Sequence, residues 1–168
     1  MPNVDDDPRI LALLQNQWFP DPERIPRVLA YYQEKKGEEA GRHRFVRDML
    51  FLGCLTGRRI REAFGEDMLE YFTFEEVSPK IGDHPGASFP PDIDHLTKTF
   101  KFVRPELIVA FGRIAQAGVD VLRGGSEWDD PDVIICPHPA ARGPRTMPDL
   151  AAAADEVRTW LGKRGVYA

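Results

Sequence analysis

Four short strand-like runs, separated by stretches with helical spacing, constrain this chain more than any other feature. They are Ile10–Leu14, Tyr71–Val77, Leu107–Phe111 and Val133–Cys136. Three of them are almost continuously apolar, which leaves no side for water and suits strands covered on both faces. Helical spacing runs through Glu23–Lys36 (Ile25, Val28, Leu29, Tyr32), Arg44–Phe51, Arg58–Leu69, a stretch from the capping residue Asp92 to Phe102, the segment after Gly112 to Leu122, and a last helix from Met147 or Asp149 to Lys163. Gly37 and Gly41 are expected to break the first of these and Thr56-Gly57 to separate the second from the third. Lys80–Pro91 carries Pro85, Pro90 and Pro91 with Gly82 and Gly86 and reads as a loop. Alternation of this kind predicts an α/β domain: a three-layer αβα sandwich around a four-stranded parallel sheet with right-handed crossovers.

The chain has 168 residues, enough for one domain, so residues 1–168 are read as a single unit with residues 1–8 disordered. Acidic residues number 27 and basic ones 22, a net charge of −5. That excludes a uniformly basic coat for nucleic acid but leaves room for a local basic face. The two cysteines, Cys54 and Cys136, are too few for a four-cysteine metal site or a secreted disulfide scaffold and read as small buried hydrophobes. No apolar run reaches membrane-spanning length, and the acidic start, Met1 to Asp7, lacks the order of a signal peptide. A cytoplasmic protein without a membrane partner is the expectation.

Ligands of open α/β sheets sit beyond the carboxyl ends of the strands. The unusual residues gather there: Gln15-Asn16 after the first run, Glu76 and Ser78-Pro79 at the second, Gly112 after the third, and Pro137-His138-Pro139 after the fourth. An amide, a carboxylate and an imidazole can therefore face one cleft. Taken singly these residues have plainer readings. Asn16 suits a turn, Phe51 a core position, Glu76 an exposed strand end, and Arg58-Arg59-Arg61 a solvated helix face. His138 between two prolines is hard to explain as core.

In this order the motifs resemble the uracil-DNA glycosylase superfamily. Leu13-Leu14-Gln15-Asn16 before a proline-bearing loop is similar to its first motif, and Thr56-Gly57-Arg58-Arg59-Ile60 to its Gly-Arg-Arg-Leu-type helix start. Phe74–Pro79 falls where its base-reading strand ends. Asp94-His95, then Arg104–Ala115, resembles its third strand and following helix, and His138-Pro139-Ala140-Ala141-Arg142 its His-Pro motif. The resemblance spans Ile10 to Leu161. It implies a DNA glycosylase that needs no metal or organic cofactor, acts as a monomer on DNA, and flips the target base out of the stack. Asn16 and His138 would be catalytic: Asn16 can orient water but cannot take a proton, and His138 can donate to the leaving base. Gln15, Phe51 and Glu76 would contact the base, with Trp18 or Phe19 as alternative stacking faces. Arg58, Arg59, Arg113, Arg142 and Arg145 would contact DNA, with Arg42-His43-Arg44 and Arg47 as a further contact. His95 would serve packing or capping.

There are departures. Leu14 replaces the glycine of the first motif, Asn16 stands where the most active members carry Asp, and Glu76 occupies a position usually held by Asn. A carboxylate offers only acceptors and suits an exocyclic amino group, so a modified pyrimidine becomes a candidate beside uracil. The alternatives are a catalytically degenerate DNA- or protein-binding module and an enzyme of free nucleosides or nucleotides.

Overall fold

The computed structural model describes residues 7–15, 17–18, 30, 38–82 and 87–167. Strand β1 (Ile10–Leu14) is followed by the two-residue β2 (Gln17–Trp18). Helices α1 (Glu39–Leu50), α2 (Leu55–Phe64) and α3 (Glu66–Leu69) lead to β3 (Phe72–Glu76). The short β4 (Ile81–Gly82), α4 (Ile93–Val103), β5 (Leu107–Phe111), α5 (Arg113–Arg123), β6 (Asp132–Cys136) and α6 (Thr146–Gly162) complete the order.

The main sheet has four strands in the order β3-β1-β5-β6, every pair parallel. Its strands match the four expected runs to within a residue at each end. All residues of β1 and β5 are buried, as continuous apolar strands demand. The alternating side chains of the sheet divide the core into two layers. Ile10, Ala12, Leu14, Phe72, Phe74 and Val109 face α1, α2, α3 and α6. Leu11, Leu13, Ile108 and Ala110 face α4 and α5. This is the three-layer αβα arrangement. Val157, Trp160 and Leu161 lie in the first layer, as their spacing suggests.

The strand order fixes where a ligand can sit. The described helices between β1 and β3 (α1, α2 and α3) pack on one face of the sheet, and α5, which follows β5, packs on the opposite face. Adjacent parallel strands whose connections leave to opposite faces open a crevice beyond their carboxyl ends. By that rule the place for a ligand is beyond Gln15 and Gly112, the residues that follow β1 and β5.

Several boundaries differ from the sequence reading. Gly41 lies inside α1, which begins at Glu39. The break between α1 and α2 falls at Phe51–Cys54, and Thr56-Gly57 is helical. The Cys54 thiol caps α2, accepting from the Gly57 amide at 3.4 Å and donating to the Leu50 carbonyl at 3.1 Å; Cys54 is exposed, unlike Cys136. Glycine at 57 is there for close approach, since a Cβ would lie 1.8 Å from the Leu50 carbonyl oxygen. The expected helix 58–69 is split by Gly65, whose φ of 82° ends α2. The loop expected over 80–91 contains β4, paired in parallel with β2. A two-residue ladder made by main-chain groups leaves no periodicity in the sequence. The helix expected over 23–36 lies outside the described residues except for Ala30, which is helical. Residues 1–6 lie outside them too, whereas Pro8 is buried.

The helix from Asp92 forms as expected: the Asp92 carboxylate accepts from the His95 amide at 3.0 Å, satisfying one of the free N–H groups of the first turn. Gly57→Ala is expected to destabilise the fold by about 1–3 kcal/mol, because the helix must shift away from the Leu50 carbonyl. Urea denaturation followed by circular dichroism measures this; an unchanged midpoint would show that the α1–α2 junction yields freely.

Candidate functional site

His138 stands two residues beyond β6, in a turn whose Ala141 amide donates to the His138 carbonyl at 2.9 Å. The ring is half-buried. The Ala140 amide donates to Nδ1 at 3.1 Å, so Nδ1 carries no hydrogen and the neutral ring is protonated at Nε2. Burial pushes the imidazole below the ordinary histidine pKa of 6.5, which keeps the ring neutral at pH 7. Among the described residues Nε2 has no partner. The structure thus presents a neutral N–H donor at the carboxyl end of the sheet, against Gly112.

The neighbours of His138 hold that donor in place. Gly112, with φ of 90°, lies under it: a Cβ at 112 would come within 3.0 Å of the His138 Cβ. The Gly112 amide donates to the Cys136 carbonyl at 2.9 Å, joining the two strand ends. Arg59 reaches from α2 to the same turn, its Nη1 donating to the Pro139 carbonyl at 2.8 Å and the Ala141 carbonyl at 3.1 Å. Thr146 adds a hydroxyl donation to Ala141 at 3.1 Å. Arg59, expected at a phosphate, therefore fixes the histidine turn.

Arg58, Arg113, Arg142 and Arg145 are all exposed. Arg142 and Arg145 follow His138 in the chain, Arg113 follows Gly112, and Arg58 precedes Arg59, so all four belong to segments at the carboxyl end of the sheet. Arg145 pairs with Asp149 at 3.0 Å. Gln15 is half-buried at the end of β1. Asn16, Phe19 and His84 lie outside the described residues, as does the side chain of Trp18.

Phe51 terminates α1 with its ring edge-on to Phe74, and its half-buried side chain packs on the first core layer. The Arg47 and Arg61 guanidinium groups lie 5.4 and 4.7 Å from its centroid. These cations occupy surroundings that a stacked base would need. Arg47 also donates to the Leu69 carbonyl at 3.0 Å. Arg42 and His43, considered as DNA contacts, are buried. Of that group Arg44 is exposed.

Arg42 and His43 belong instead to a buried charged cluster that the sequence reading missed. Glu76 is buried at the end of β3, and Glu75 beside it is fully buried. Arg42 grips Glu75 with two hydrogen bonds, Nε to Oε2 and Nη2 to Oε1, both 3.0 Å. His95 Nε2 lies 3.3 Å from Glu75 Oε1, and His43 Nε2 lies 3.4 Å from Oε2 and 3.2 Å from Glu39 Oε2. Burial raises the Glu75 pKa, but the hydrogen bond from His95 and the charge of Arg42 outweigh it and hold the carboxyl below its ordinary 4.5. Burial, partly offset by Glu75 and Glu39, lowers His43 below 6.5. With Arg42 on both Glu75 oxygens the cluster is an ion-pair network, and among the described residues no group has the arrangement of a metal site.

No family model matches this chain, and no curated protein matches it. Among the described residues no helix is long and apolar enough to cross a membrane. Two surface grooves, one against Trp160 and Ile134 and one among Arg9, Arg104 and Asp130, lie away from His138.

Acid is expected to destabilise the protein in two stages. His43 and His138 have lowered pKa values, so the unfolded chain takes up protons first and stability falls as the pH drops below 6.5. Glu75 is likewise lowered, and its contribution is lost as the pH falls below 4.5 through the folded value. Thermal melts from pH 8 to about 2 measure this, with Glu75→Gln losing about 3–5 kcal/mol at neutral pH and flattening the acid limb. A Tm that rises on acidification would contradict these assignments.

Proposed function

We propose that this protein is a DNA glycosylase that hydrolyses the N-glycosidic bond of uracil or a modified pyrimidine. The observation that carries this reading is the neutral His138 ring, its Nδ1 occupied by the Ala140 amide and its Nε2–H left to donate at the carboxyl end of the sheet, against Gly112. In this reaction the bond between the sugar C1′ and the base nitrogen breaks, its electron pair leaves on the base, and the sugar becomes oxocarbenium-like. A water oxygen then bonds to C1′, and the proton it loses is taken up, through solvent, by the departed base anion, so that both products are neutral. Charge on the departing base collects on its carbonyl oxygen, where a fixed N–H donor lowers the barrier. A neutral donor suits this, because it stabilises the leaving anion without first having to gain a proton.

The other roles rest on the resemblance. Asn16 orients the water, and Gln15 and Glu76 meet the base. A carboxylate at 76 accepts from an exocyclic amino group, which favours a modified cytosine over plain uracil. Phe51 is a weaker stacking face than expected, given the cations about it. Arg58, Arg113, Arg142 and Arg145 supply local positive charge for phosphates on a chain of net charge −5. Arg59 acts through the turn it holds. A binding module without catalysis is the second reading, favoured by the engagement of Arg59 with carbonyls in place of phosphate.

The test is a panel of oligonucleotides carrying uracil, mismatched thymine, hypoxanthine, 5-hydroxymethyl and glycosylated pyrimidines, with abasic sites cleaved and counted. Release of one base is expected, falling about 10²–10³-fold in His138→Ala. The neutral ring is the working form and its pKa lies below 6.5, so the rate should hold from pH 8 past 6.5 and decline only in stronger acid. Silence across the panel with salt-sensitive DNA binding would favour the binding module. Silence without DNA binding would favour free nucleotides or a protein partner.

A further inference from the structure

We propose that Arg42, Glu75 and His95 form a clamp that fixes the peptide of Glu76, making Glu75 and His95 positioning residues for the base-contacting carboxylate. The proposal rests on the glycosylase reading for what Glu76 contacts, and on the geometry for what holds Glu76. β3 is an edge strand, paired only with β1 in the main sheet. The Tyr71 carbonyl accepts from Ile10 and the Val77 amide donates to Leu14, so odd-numbered residues turn their main-chain groups toward β1. Even-numbered residues turn theirs to the outer edge.

At residue 76 both outward groups meet side chains. The Glu76 amide donates to Glu75 Oε1 at 2.7 Å, and His95 Nε2 donates to the Glu76 carbonyl at 2.9 Å. Both oxygens facing His95 Nε2, that carbonyl and Glu75 Oε1, are acceptors, so Nε2 carries the hydrogen. Arg42 holds Glu75 in turn through both carboxylate oxygens. Three elements, α1, β3 and α4, thus converge on one peptide.

An apolar residue at 75, with a second one at 42, could fill this space without any charge to pair. It could not accept from the Glu76 amide. The clamp sets the Cα–Cβ direction of Glu76 at the end of the sheet, where a displacement of about 1 Å is enough to cost about 100-fold in a positioned reaction.

The test uses the full chain with His95→Leu, which removes the donor, His95→Gln, which keeps an N–H donor, and Glu75→Ala. One readout is the ratio of release rates from uracil and 5-hydroxymethylcytosine oligonucleotides. The other is hydrogen exchange of the Glu76 amide, compared with the Leu13 and Val109 amides of the same protein. Folded His95→Leu should change the release ratio by about tenfold or more, and His95→Gln should restore it to within about threefold. Glu75→Ala should speed exchange at Glu76 about 100-fold while Val109 is unchanged. If Glu75→Ala does not fold, the two His95 variants decide. The clamp is overturned if the wild-type Glu76 amide exchanges as fast as exposed loop amides, or if folded His95→Leu leaves both readouts unchanged. A wild type that releases no base overturns the glycosylase reading instead, and protection of the Glu76 amide then decides the clamp.

Discussion

A strand covered by helices on both faces has nowhere to put a polar side chain. β1 and β5 obey this completely: every side chain in them is apolar and buried. The rest of the architecture depends on that pair. Burial at the centre of the sheet orders the neighbours as β3-β1-β5-β6, and the described helices that follow β1 and β5 pack on opposite faces. The place for a ligand is a consequence of topology, before any functional residue is considered. Chemistry can therefore reside only where the strands stop and where the sheet has an edge.

Both of those places carry polar groups held by other parts of the chain. At the end of β6 the histidine turn rests on Gly112 and is tied down by Arg59 and Thr146. Rigid support of this kind fixes a tautomer as well as a position, because the Ala140 amide leaves Nδ1 no hydrogen. At the edge strand, Glu75 occupies a layer of apolar side chains and remains charged because Arg42 and His95 meet it there. In both places a guanidinium from the α1–α2 region reaches across to another element. These arginines are structural cations, and their contacts remove them from the charge available to an external partner.

The strands were legible because continuous apolar runs admit few other readings. The helix boundaries were less so. Gly41 and Gly57 look like breakers in a local window, yet Gly57 is in place because α2 passes so close to the Leu50 carbonyl that no side chain fits. Close approach between elements is a tertiary fact that composition cannot express. The Glu75 cluster was hidden for a related reason. Its members lie far apart in sequence, at 39–43, 75 and 95, and each is ordinary in its own segment. One signal was available: strand alternation places Glu75 on the face of Leu11, Leu13 and Val77, where a carboxylate requires a buried partner. His138 was legible because two flanking prolines exclude regular structure, but its tautomer needed the Ala140 contact.

An ion pair removed from water gains little net stability, and an apolar residue of similar volume often serves as well. The Arg42–Glu75 pair therefore needs a reason beyond holding α1 to β3, which Phe45, Val46 and Phe74 already do through apolar packing. The distances supply one. Glu75 Oε1 is closer to the Glu76 amide, at 2.7 Å, than to either Arg42 or His95, so the carboxylate serves its neighbour's main chain as much as its own partners. A charge whose shortest contact is the peptide beside it shapes where that peptide sits. Such a pair can add little net stability over an apolar pair and still govern the aim of the side chain next to it.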